Sequence, residues 1–191
     1  MSTLVQPTTR METIEYTTAP TSMGLALVAV SSKGVCAVLL GSDARALVAD
    51  LRQRFPAAEV MHQDIASVLC ARQVIAVIES PETPLDVPLD LRGSDVQRSI
   101  WHALREIPVG STASYKEIAK KIGALTTAQD VSDACAANAL AVVVPCHRVI
   151  RSDGSLAGYR WGIKRKQALL DKERQVARDS QDGQNHMDRS N

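Results

Sequence analysis

Aromatic side chains are scarce in this sequence, where tryptophan, tyrosine and phenylalanine together make up 3% of 191 residues. Any core must therefore be filled by Leu, Val, Ile and Ala, and a hydrophobic fraction of 45% is ample for that. Cysteine is sparse as well. Cys36, Cys70, Cys135 and Cys146 lie far apart with no pair at metal-ligand spacing, which excludes a zinc finger or ribbon. No apolar run is long enough to cross a bilayer, and the first residues lack the hydrophobic stretch of a signal peptide. Nor does charge of one sign accumulate. With a net charge of +1, a polyanionic partner would have to be met by a local basic patch. These absences predict a soluble cytoplasmic protein of one ordinary domain or two small ones, with reduced thiols and neither metal nor membrane. Residues 1–10 and 178–191 have little to bury and read as disordered tails.

The first half reads as scaffold. Residues 25–30 and 35–40 are apolar runs separated by the turn-like Ser31-Ser32-Lys33-Gly34, which predicts an antiparallel hairpin preceded by a strand near residues 13–17. Leu47, Val48, Leu51 and Phe55 recur at helical spacing over 43–55, and Pro56 ends the segment. Ile65, Val68, Leu69, Ile75 and Ile78 mark the apolar side of a second helix over 64–78. The alternation Leu85-Asp86-Val87-Pro88-Leu89 predicts an extended edge segment. Cys36 and Cys70 fall within these elements as packing residues, and His62 is expected in a surface loop. Residues 1–90 offer no catalytic constellation.

Capping patterns punctuate the second half. Ser94 with Gln97 opens a helix to about Glu106, with Val96, Ile100, Trp101 and Leu104 as its buried side. Ser114 with Glu117 opens a short helix ending at Gly123, and Thr126 with Gln129 opens another reaching about Asn138. Joined by Gly123-Ala124-Leu125, the last two have the proportions of a helix-turn-helix. The chain then enters Val142-Val143-Val144, which reads as a strand stopping at Pro145, and presents Cys146 beside His147 and Arg148. An isolated cysteine is as readily a small buried hydrophobe as a nucleophile. Here its neighbours favour chemistry.

Pro145-Cys146-His147-Arg148-Val149 resembles the active-site motif of the O6-alkylguanine-DNA alkyltransferases. Ser114-Tyr115, Ala137-Asn138, Gly158-Tyr159-Arg160-Trp161-Gly162 and the run ending at Glu173 fall in step with that family. The similarity extends over roughly residues 12–175 and is greatest to the C-terminal domain of the bacterial adaptive-response methyltransferases, whose separate zinc-binding domain has no counterpart here. The resemblance implies an α/β (α+β) fold. A small N-terminal domain over 11–90 would hold a ribonuclease-H-like antiparallel sheet, and a mostly helical C-terminal domain over 91–177 a winged helix-turn-helix. It also implies irreversible transfer of an alkyl group from guanine O6 to Cys146, without a cofactor and once per molecule, by a monomer. Thiolate is a soft nucleophile suited to attack on saturated carbon once something lowers its pKa. On an extended chain the imidazole of His147 would point away from the sulfur. The family relay therefore uses a bridging water, with Glu173 orienting and charging the ring. Tyr115 matches the proton donor to the leaving purine, and Asn138 the hinge that ties the helix pair to the active-site turn. Pro145, Val149, Gly158, Tyr159 and Arg160 match positions around the base pocket, with the backbone carbonyls of Val149 and Tyr159 reading the exocyclic amine.

Alkylated double-stranded DNA is the partner so implied, yet the sequence departs from the pattern where DNA would be met. Gln129 occupies the position of the family's intercalating arginine, no Lys or Arg occurs over residues 122–147, and Asp130 and Asp133 are acidic. Val96 replaces an expected aromatic. Ser114, Lys116, Lys120, Lys121, Arg148, Arg151 and Arg160 remain to touch a backbone, and DNA affinity is expected to be weakened. Three readings stay open at this point. The chain is a repair alkyltransferase, an engineered self-labelling tag that takes free O6-benzylguanine derivatives, or a non-enzymatic sensor of alkylated DNA.

Overall fold

The computed structural model describes residues 11–64, 69–123 and 125–188, the last eight of these as backbone only. The residues form a mixed α/β protein. Strands β1 (Glu12–Thr21), β2 (Gly24–Ser31) and β3 (Gly34–Gly41) make an antiparallel meander, and β4 (Ala58–His62) adds to the free side of β1 in parallel, giving the order β3-β2-β1-β4. Residues in direct succession are buried along β2 and β3, among them Leu27, Val28 and Ala29, so the sheet is covered on both faces. Helices α1 (Ala44–Arg54) and α2 (Leu69–Glu79) pack against it. Gly34 is dictated by space as well as by its φ of +136°, since a Cβ there would stand 2.2 Å from the Pro88 carbonyl oxygen.

The outer edge of β3 receives two later segments. The Val35 amide donates to Pro88 O at 2.9 Å and the Asp90 amide to Val35 O at 2.9 Å, so the extended residues before α3 (Asp95–Arg105) run along this edge. Further along, the Val38 amide donates to Ala139 O at 2.8 Å and the Ala141 amide to Val38 O at 2.9 Å. The segment leading to Cys146 is thereby fastened to the sheet. Helices α4 (Tyr115–Ile122) and α5 (Ala128–Ala137) follow α3, and the Trp101 indole ties α3 to α5 by donating to Ala134 O at 2.8 Å. A two-residue parallel pair, β5 (Ala113–Ser114) with β6 (Val149–Ile150), brings the head of α4 beside the segment after Cys146. The long α6 (Ile163–Asp188) closes the molecule. Among the described residues no helix is long and apolar enough to cross a membrane.

Several expectations give way to tertiary context. Residues 142–144 form a turn, with Val142 at φ +67°, because the Asn138 side chain binds both the Leu140 amide and the Val144 carbonyl and folds the β-branched run back. The cap of α5 is Thr127 with Asp130, one residue beyond the expected Thr126–Gln129 pair. A carboxylate there also suits the positive end of the helix. His62 lies on β4 rather than in a loop, its ring edge-on to Tyr16 at 5.3 Å. The N-terminal sheet is thus antiparallel except for this parallel edge. Val96, in the first turn of α3, is 50% exposed, and Leu69 is exposed because the buried stripe of α2 runs through Ala71, Val74 and Ile78. Residues 178–188, expected to be disordered, continue α6. Side-chain bonds one turn apart accompany it there, from Gln175 to Asp179 at 2.7 Å and from Ser180 to the Val176 carbonyl at 2.9 Å. Residues 1–10, Ile65, Val68, Ala124 and residues 189–191 lie outside the described residues.

Leu27 has no exposed surface in the centre of β2. Its replacement by alanine should cost about 2–5 kcal/mol through lost transfer energy and the cavity left behind. Urea unfolding should show a lower midpoint at unchanged slope.

Candidate active site around Cys146

The site is assembled where the chain leaves the β3 edge. Cys146, His147 and Arg148 occupy a single turn of 3-10 helix after Pro145, and the Val149 amide closes it onto the Cys146 carbonyl. Successive side chains on such a turn point about 120° apart. Cys146 and His147 therefore face different surroundings, although the chain is not extended as the sequence suggested.

Cys146 is 4% exposed, and its Sγ accepts a hydrogen bond from Asn138 Nδ2 at 3.2 Å. The same amide nitrogen reaches Val144 O at 3.0 Å, while Asn138 Oδ1 accepts from the Leu140 amide at 2.8 Å. The residue that caps α5 thus holds the turn and touches the sulfur. Burial pushes the Cys146 thiol up to about 11, against the opposing pull of the Asn138 bond and the charge of Lys166. The resting group is a protonated thiol.

Glu173 organises the opposite side. Its Oε1 lies 2.7 Å from His147 Nε2, and Arg148 clamps both oxygens through Nε and Nη2 at 2.9 Å each. The Gly110 amide adds a bond to Oε2 at 3.3 Å. Gly110, at φ +78°, has no room for a Cβ, which would lie 2.6 Å from that of Ala177. Burial alone would raise the carboxyl of Glu173, but the bonds from His147 and Arg148 overcome it and draw it to about 2. Burial lowers the pKa of His147 more than the carboxylate raises it, so the ring is neutral and not charged as expected. A carboxylate can only accept. The neutral ring therefore carries its proton on Nε2 and keeps a lone pair on Nδ1, which is buried and bonded to no group among the described residues.

Cys146 opens onto a cleft of about 740 Å³ whose lining includes Tyr115, Gln129, Cys135, Gly158 and Tyr159, with Lys116, Arg151 and Arg160 at exposed positions. Tyr115, at the head of α4, has its hydroxyl raised to about 12 by burial and by the nearby thiols, and so remains a donor. The Tyr159 ring stands edge-on to His147 at 6.4 Å and to Trp161 at 5.2 Å. Arg160 Nη2 pairs with Asp50 at 3.1 Å.

Some expected contacts are otherwise engaged. Arg148, counted among cations for a DNA backbone, is buried and donates to Glu173 and to Ile107 O, because the Glu173 carboxylate needs a counter-charge. The Ser114 hydroxyl caps α4 by accepting from the Glu117 amide at 3.2 Å. Val149 is fully buried and outside the cleft lining, and its carbonyl, expected to read the base, accepts from Lys166 Nζ at 2.6 Å. Gln129 binds Asp133 at 2.8 Å, and Lys121 pairs with Glu106 at 2.6 Å. Lys166 and Gly110 were missed as site residues. For Lys166 a signal existed, since the inner stripe of α6 runs through Lys166, Leu169, Leu170 and Glu173, two charges at core positions.

A sequence model of the 6-O-methylguanine DNA methyltransferase DNA-binding domain matches residues 95–175. The chain is 47% identical over 160 residues to the Escherichia coli bifunctional transcriptional activator/DNA repair enzyme Ada, covering 84% of this chain and 45% of that protein. The chain therefore spans less than half the length of this relative. Over 173 residues it is 31% identical to a methylated-DNA–protein-cysteine methyltransferase of Candida albicans, covering 85% of this chain and 98% of that protein. A crystal structure of Mycobacterium tuberculosis OGT in complex with DNA aligns with a TM-score of 0.67 at 34% identity, over 84% of this chain and 93% of that one. The reading as an engineered labelling tag finds no support among these relatives.

The low pKa of Glu173 has a measurable consequence. Its folded-state value of about 2 lies below the ordinary 4.5, so the unfolded chain takes up the proton first as pH falls. The stabilisation is complete above the ordinary value and is lost as pH drops through about 2. Glu173→Gln should be less stable at neutral pH by about 3–5 kcal/mol, since Arg148 is left buried without its counter-charge. The stability of this variant, measured by denaturant at stepped pH, should fall less steeply in acid.

Proposed function

The chain belongs to the O6-methylguanine-DNA methyltransferase family, and from that premise we propose that it clears alkyl groups from guanine O6 by accepting them on Cys146, one per molecule. The observation that carries this is the placement of a buried thiol at the wall of a base-sized cleft, with the next residue in the chain a neutral imidazole held by Glu173. In the step so proposed, the Cys146 proton passes through a bridging water to His147 Nδ1. The thiolate displaces the purine from the alkyl carbon as the carbon–oxygen bond breaks. The departing guanine anion takes a proton from the Tyr115 hydroxyl, whose site stabilises the charge that develops. The Arg148–Glu173 pair keeps the imidazole oriented throughout. The sulfur becomes a thioether, and no group in the cleft is suited to expel it again.

Residues 91–177 would carry this chemistry, with residues 11–90 as their support, in a monomer working in the cytoplasm. Alkylated duplex DNA is the proposed partner, approached by α4 and α5. Two carboxylates on α5, and a Gln129 tied to one of them, make that approach weak and salt-sensitive. Lys116, Lys120, Arg151 and the partly engaged Arg160 supply the remaining cationic contacts. Free O6-benzylguanine needs none of these and would enter the same cleft.

Incubation with O6-benzylguanine should add a single benzyl group by mass, and Cys146→Ala should stay unmodified. Equal labelling of the alanine variant would dismiss the proposal, and an unmodified wild type bound tightly to alkylated duplex would favour the sensor reading instead. Gln129→Arg should accelerate reaction with alkylated duplex more than reaction with free benzylguanine, and steepen the salt dependence of DNA binding by about one unit of slope.

A further inference from the structure

Arg160 stands at the rim of the Cys146 cleft, yet it is held by a helix from the other half of the chain. Its Nη2 donates to Asp50 Oδ1 at 3.1 Å and reaches Oδ2 at 3.5 Å, which joins α1 to a segment 110 residues further on. The same Oδ1 accepts from Arg54 Nε at 3.2 Å, one turn along α1. One carboxylate therefore serves two guanidiniums, and it serves them unevenly. Oδ1 carries both short bonds, while Oδ2 has the long contact to Arg160. Arg54 shows the complementary deficit: its Nη2 is buried and has no partner among the described residues.

Nε and Nη2 lie on one edge of a guanidinium, at the spacing of two carboxylate oxygens. Arg148 uses that edge in full, taking both oxygens of Glu173 at 2.9 Å. At Arg54 the same fork is half made. A small rotation of the Asp50 carboxylate would bring Oδ2 to the unpaired Nη2, satisfying a buried donor. The same rotation would loosen Arg160. We propose that Asp50 is a positioning residue for duplex substrate, holding Arg160 at the cleft rim and releasing it to a strand phosphate as Arg54 completes its fork on the carboxylate. This rests on the reading of the Cys146 cleft as the place where alkylated DNA is met.

The exposures favour such an exchange. Arg160 and Asp50 keep 36% and 30% of their side-chain surface in solvent, against 16% for Arg54. An ion pair that open is weak and readily traded, whereas a guanidinium on phosphate gains a charge-assisted bond and releases counterions. The backbone need not follow the side chain. Trp161, next in sequence, is buried, and its carbonyl accepts from Arg165 Nη1 at 2.9 Å. A cation delivered from the rim matters here because α5 carries none of its own.

Binding of the full chain to an unmodified duplex across a salt titration tests this, with labelling by alkylated duplex and by free O6-benzylguanine run alongside. Asp50→Asn should tighten duplex binding by about two- to fivefold, the range open to a partly exposed ion pair, at an unchanged salt slope. Arg160→Gln should make that slope shallower by about one unit, and on this background Asp50→Asn should gain less than half as much. Arg54→Gln should weaken duplex binding although Arg54 lies outside the cleft lining, and the loss should shrink when Asp50 is also Asn. Asp50→Asn that tightens binding equally with and without Arg160 would overturn the proposal, leaving Asp50 as a plain negative charge. An Arg160→Gln variant with the wild-type salt slope would overturn it too, since Arg160 would then stay on Asp50 in the complex. Wild type that shows the expected binding pattern but is alkylated by neither substrate would sink the alkyl-transfer reading while leaving the exchange of Arg160 in place.

Discussion

One buried carboxylate sets the geometry on which the site depends. Glu173 sits on α6 with almost no solvent contact, and it accepts from an imidazole, a guanidinium and a backbone amide. Such a group is tolerable in the interior only because every oxygen is satisfied and its charge is matched. Satisfying it has fixed the tautomer of His147, drawn Arg148 away from the surface, and required a glycine at residue 110. The neutral imidazole and the protonated thiol are both products of the same burial, and in the proposed step the thiol would be held in reserve until its proton is relayed away.

Asn138 joins this centre to the helix pair. Its backbone amide caps α5, while its side-chain amide folds residues 140–144 into a turn and touches the sulfur. Since α5 is also the element that would meet a duplex, the distance between recognition and chemistry is one side chain. The polar inventory of the site is accordingly economical: each of Asn138, Arg148 and Glu173 makes three or more bonds, and none is free to do anything else.

The sequence was most legible where local rules decide. The hairpin of β2 and β3, the Ser94 and Ser114 caps, and the helical runs of α1 and α3 follow from periodicity and side-chain capping within a few residues. It was least legible where distant groups decide. Three consecutive valines ordinarily favour a strand, but an asparagine four residues before Val142 claims their backbone. The parallel edge strand β4 hides behind a sequence of five residues, none of them fully buried. Family resemblance singled out Cys146, His147 and Glu173 but left Arg148 on the wrong surface, because the demand for a counter-ion to Glu173 is a property of the fold. Lys166 was readable in principle as a charge on an apolar stripe, a pattern whose meaning emerges only once the stripe is seen facing the Cys146 turn.

The double occupation of β3 reaches beyond the site. An outermost strand usually offers a row of unpaired amides and carbonyls to any passing chain, and natural sheets must blunt that risk of edge-to-edge aggregation. Here residues 88–90 cover one end of that row and residues 139–141 the other. The opposite margin is the five-residue β4, with Glu59 and His62 exposed. By laying its reactive segment along the margin most in need of cover, the chain protects a wholly apolar strand from recruiting a neighbour, so that keeping the sulfur in place and keeping the protein from self-association become one task.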